Sequence, residues 1–88
     1  MTRDKLIACL AELKEKLNDE SITLREIKAL YFGLNLDYIK FCEAMRNGNY
    51  YPSKTCDAKM KDCNDNSAVA KALTVVKARI KEIETHMK

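Results

Sequence analysis

The sequence predicts an all-α protein: a small bundle of four long helices, with material for a short fifth and a helix-turn-helix-like central pair. Three observations carry that prediction. Two glycines and one proline leave few turn positions, which favours long helices over many short strands. Thr23 and Glu26 make a T-x-x-E capping box, with Ile22 and Ile27 placed as a hydrophobic staple around it. From Val69 onward, apolar residues recur in alternating steps of four and three without a miss.

The first helix spans about 3–18. Thr2 serves as its N-cap, and Leu6, Leu10, Leu13 and Leu17 share one stripe, which Ile7 and Cys9 widen into a core-facing surface. Glu12 and Lys16 form an i,i+4 pair on the wet side, worth only about 0.2–0.5 kcal/mol. "NDES" then breaks the helix.

The capping box starts a second helix over about 24–32, and Gly33 suits its end because glycine takes a positive φ cheaply. Asn35 can cap a third helix over 36–46, with Arg46 in the last turn, where a cation suits the dipole, and Gly48 beyond it. Residues 49–66 are less regular. A short helix over 54–63 would put Cys56, Met60 and Cys63 on one face after Pro52 and Ser53. "NDNS" closes it and caps the last helix, 67–87, whose stripe is Val69, Leu73, Val76, Ile80, Ile83 and Met87. All 88 residues form one helical domain, 1–88, since there is no room for a second core.

Composition narrows the class. Apolar residues at 47% and charged residues at 33% describe a globular chain rather than a disordered one. No apolar run reaches the roughly 20 residues that span a bilayer. The opening "MTRDKLIACL" lacks a secretory apolar region, so a cytoplasmic location and no membrane partner are expected. The four cysteines then read as reduced, small hydrophobic residues rather than a disulfide framework. The net charge of +3 is mild for a nucleic-acid binder, and its excess belongs to the last helix.

"SITLREIKALYFGLNLDYIKF" has the cadence of a DNA-reading helix-turn-helix. Ala29, Phe32, Gly33, Leu34 and Ile39 fill the positions where two such helices would cross, although Lys28 stands where an apolar residue is usual. The chemistry disagrees. The second helix would offer Leu36, Asp37, Tyr38, Lys40 and Phe41 to the groove, with Glu43 nearby, whereas base edges and phosphates call for amides and cations.

No catalytic, cofactor-binding or metal-binding motif stands out. The one histidine, His86, has no carboxylate or nucleophile partner in the sequence. Zinc would need Cys42, Cys56, Cys63 and His86 to converge, with no C-x2-C pair to anchor them. The chain therefore reads as a non-enzyme without cofactor that binds and regulates or inhibits another protein, of an inhibitor, antitoxin, immunity, anti-defence or adaptor type from bacteria or phage. The expected contact surface is Tyr38, Phe41, Arg46, Tyr50, Tyr51 and Lys54, because tyrosine and arginine are common interface anchors. The last helix offers Val69, Leu73, Val76, Ile80, Ile83 and Met87 either to its own core or to a homodimer. The alternative function is a dimeric helix-turn-helix regulator with Lys40, Arg46 and Lys54 on phosphate.

Overall fold

A computed structural model describes residues 1–45 and 50–87. They form four α-helices in the order α1 (Arg3–Lys16), α2 (Leu24–Ala44), α3 (Lys54–Asp62) and α4 (Val69–His86), with a 3-10 turn at Asn66–Ala68. Among the described residues there is no strand, and the protein is all-α. The helix α2 is the central element. Both α1 and α4 pack on it, and α3 covers α4.

The capping box is present as the sequence predicts. Thr23 Oγ1 accepts from Glu26 N at 3.2 Å, and the Glu26 side chain reaches back to Thr23 N. The predicted turn at Gly33 is not. One helix runs from Leu24 to Ala44 where two were expected, and the helix-turn-helix pair is therefore absent. Two physical reasons account for the correction. The buried residues Ile27, Tyr31, Leu34, Tyr38 and Phe41 step by four and three through Gly33 without a phase change, so one straight helix buries them all. Asn35, expected to cap a new helix, instead accepts from Arg79 Nε at 2.8 Å. The interior glycine costs the helix only about 1 kcal/mol, less than one buried aromatic contributes. Arg46 and Gly48, read as the end of the third helix, lie outside the described residues.

Thr2 caps α1 by accepting from Lys5 N at 3.2 Å, and Leu6, Leu10, Leu13 and Leu17 are buried as their spacing predicts. The stripe is narrower than expected: Ile7 is exposed and Cys9 is only partly covered. Because α1 meets chiefly one neighbour, its four leucines suffice. The Glu12–Lys16 pair is present at 3.6 Å with both side chains mostly in water.

The short helix α3 forms where the sequence allowed it. Ser53 caps it by accepting from Cys56 N at 3.3 Å, and Cys56, Met60 and Cys63 point into the core. Within the "NDNS" cluster, Asp65 then caps the 3-10 turn that leads into α4 by accepting from Ser67 N at 3.0 Å. Those serine hydrogen bonds hold the Asp65 carboxyl below its ordinary range.

The buried face of α4 is rotated from the predicted stripe. Ala72, Val75, Val76, Arg79, Ile80 and Ile83 are buried, while Val69, Leu73 and Met87 are only partly so. With α2 on one side and α3 on the other, α4 needs a broad apolar face, and Ala72 and Val75 supply it. Lys14 Nζ pairs with Glu84 Oε2 at 2.9 Å and ties α1 to α4 at the surface.

Candidate functional site: an aromatic corner built on a buried arginine

The most distinctive chemistry of the molecule sits where α4 crosses α2. Arg79 is 0% exposed, in a slot whose neighbours along α4 are Ala72, Val75, Val76, Ile80 and Ile83. A cation is tolerated there only with hydrogen-bonding partners around it. Its Nε donates to Asn35 Oδ1 at 2.8 Å, and its Nη2 donates to the Tyr50 hydroxyl at 3.1 Å. The guanidinium carbon also lies 5.5 Å from the centre of the Tyr38 ring and 5.6 Å from that of Tyr50, within cation–π range. Nη1 makes no hydrogen bond among the described residues and stands 3.8 Å from Glu82 Oε1, one turn further along α4.

Glu82 is itself held from the other side by Cys56, whose thiol donates to Oε1 at 3.4 Å. Burial pushes the Cys56 thiol up from its ordinary pKa, so it remains a protonated donor. Around this base the rings are layered. Tyr38 packs on Tyr50 with ring centres 5.2 Å apart, and His86 meets Tyr38 edge-on at 5.8 Å. The buried Tyr38 hydroxyl is hydrogen-bonded to Nδ1 of His86. Burial pushes that hydroxyl up to about 12. Tyr51 forms the outer layer, its ring centre 5.6 Å from that of His86. Beside it runs an open groove of about 630 Å³ lined by Tyr51, Ala78, Lys81, Glu82, Thr85 and His86.

A second polar pair joins α2 to α3. The Tyr31 hydroxyl donates to Asp57, and burial, followed by that carboxylate, raises the Tyr31 pKa.

The predicted contact residues are divided by this arrangement. Tyr51 and Lys54 are exposed, and Tyr50 is half-buried as part of the Arg79 cage. Tyr38 and Phe41 are buried on the inner face of α2 and are core residues, a correction to the expected surface. The reason is the uninterrupted helix, which turns both rings into the core rather than to solvent. Arg46 lies outside the described residues. Of the two uses offered for the last helix's stripe, its own core takes it: Val76, Ile80 and Ile83 are enclosed there, and Val69, Leu73 and Met87 pack against it half-buried.

Arg79, Asn35 and Glu82 were not expected in a site. One signal could have found Arg79: positions three, four and seven before it and four after it are all apolar, so it occupies a core slot of the helix. Nothing local marks Asn35, since its partner lies 44 residues away.

The cysteines are all free. Cys42, Cys56 and Cys63 are buried, and burial raises the Cys42 thiol as it does that of Cys56. Among the described residues no group of three or more His, Cys, Asp or Glu side chains is placed to hold a metal ion, and no helix is long and apolar enough to cross a membrane. No protein-family model, curated protein or solved structure matches the chain.

Proposed function

We propose that this chain is a small non-catalytic helical protein that binds a partner protein and regulates or inhibits it by covering part of the partner's surface. The observation that supports this reading is the position of Tyr51. Tyr51 is 49% exposed at the rim of the groove, its ring backed by His86, Tyr38 and Tyr50 in turn and finally by Arg79. A ring held in this way has little freedom left to lose when a partner covers it, which favours binding. Tyrosine is also among the residues that most often dominate interface energy. Lys81, Glu82 and Thr85 supply a polar margin around the apolar surface of Tyr51 and Ala78, the usual anatomy of a protein contact. A partner segment that inserts one apolar side chain between Tyr51 and α4, with polar groups on either side, fits the groove.

The reading is tested by capture from lysates of cells that make the protein, with and without nuclease, using the native chain and Tyr51→Ala. The expected result is a stoichiometric protein partner that survives nuclease and is lost with Tyr51→Ala, while the circular dichroism spectrum stays unchanged. Recovery of nucleic acid, or of partners only without nuclease, overturns it.

A further inference from the structure

The outward face of α2 carries a second repeat, opposite the one that builds the core. Arg25, Ala29, Phe32, Leu36, Ile39 and Glu43 follow steps of four, three, four, three and four, the spacing of a seam between two helices. Phe32 is 52% and Leu36 58% exposed, one turn apart, with Ala29 exposed and Ile39 half-buried beside them. The line is symmetric in residue number about Leu34. Arg25 and Glu43 lie nine residues to either side, Ala29 and Ile39 five, and Phe32 and Leu36 two.

We propose that a second copy of this chain docks on this face, α2 against α2, antiparallel about a two-fold axis level with Leu34. That operation sets Phe32 against the Leu36 of the second copy, Ala29 against its Ile39 and Arg25 against its Glu43, each contact made twice. A two-fold interface requires such self-complementarity. The charges fix the direction. Arg25 lies in the first turn of α2 and Glu43 in the last two turns, each of the sign the helix dipole disfavours there. An antiparallel partner places an opposite charge against each of them, whereas a parallel one would place arginine on arginine and glutamate on glutamate. Lys28 and Lys40, also equidistant from Leu34, lie on opposite flanks of the seam, so the two-fold does not bring them together. At 1.5 Å per residue the seam is about 27 Å long, and its few apolar anchors make a small interface, hence a reversible, concentration-dependent dimer.

The seam shares no residue with the Tyr51 groove, so the dimer and the proposed partner reading stand or fall separately. The test is sedimentation equilibrium over roughly 10 μM to 1 mM, the range in which a small interface associates. The native chain should move from monomer toward dimer. Arg25→Glu and Glu43→Arg, each alone, should weaken association at least tenfold, because like charges then meet at both ends. Mixing the two variants should restore a heterodimer, and the double exchange should restore the homodimer. Both substitutions suit the helix dipole better than the native residues, so unfolding would not account for a loss of association. Leu36→Lys should abolish the dimer while the helical signal is retained. A native chain that stays monomeric throughout overturns the proposal. So does a dimer indifferent to Leu36→Lys, or variants that fail to rescue each other on mixing.

Discussion

Nη2 of Arg79 donates to the hydroxyl of Tyr50 at 3.1 Å while the same guanidinium stands 5.6 Å from the centre of the Tyr50 ring. One side chain thereby couples α4 to the segment that precedes α3, and through Asn35 it also couples α4 to α2. Arg79→Ala removes all three links and leaves a cavity beside an unpartnered Asn35. The expected loss is about 3–5 kcal/mol, a large part of the stability of a domain this size. Arg79→Met, which keeps the length of the stem, should cost less than Arg79→Ala. Urea unfolding midpoints of the two variants check the order.

Gly33 lies in mid-helix, its φ is not positive, and a Cβ added there would meet no atom within 4 Å. Gly33→Ala should therefore stabilise the protein by about 0.5–1 kcal/mol. The same substitution would destabilise a chain that turned at Gly33 with a positive φ. A thermal melt that rises by a few degrees supports the continuous helix.

Alkali should lower the protein's stability in stages. Burial raises the Cys42 and Cys56 thiols above their ordinary value near 9, and it pushes the Tyr38 hydroxyl from near 10 up to about 12. The folded state thus retains protons that the unfolded chain has begun to release. The stabilisation is complete below the unfolded values and is lost as pH rises through the folded ones. Urea midpoints should hold steady up to about pH 8, begin to fall near pH 9 and fall more steeply above about 10. Tyr38→Phe should flatten part of the decline above pH 10, the rest belonging to the buried Tyr31 hydroxyl, at the expense of the hydrogen bond to His86.

Thiol labelling should separate one cysteine from three. Cys9 is partly covered, whereas Cys42, Cys56 and Cys63 are buried. A soluble disulfide reagent at neutral pH should modify Cys9 first and reach the others only as the protein opens, with rates that rise together in urea. Mass spectrometry of the partly reacted protein identifies the first site, and early labelling of Cys56 would contradict its place behind Glu82.

Most of what holds each helix together is local, and it was legible in the sequence. The Thr23–Glu26 box, the Thr2 and Ser53 caps and the leucine stripe of α1 depend on residues no more than a few positions apart. Such patterns determine that the chain is all-α and roughly where its helices start. Tertiary packing decided the rest. Gly33 offers a turn locally, yet the chain continues through it because Tyr38 and Phe41 can then reach the same core as Ile27 and Tyr31. Arg79 looks like a surface residue by type. It is buried because Asn35 and Tyr50, 44 and 29 residues away in the chain, converge on it. A buried charge is set by the partners that surround it, and only the folded chain brings those partners together.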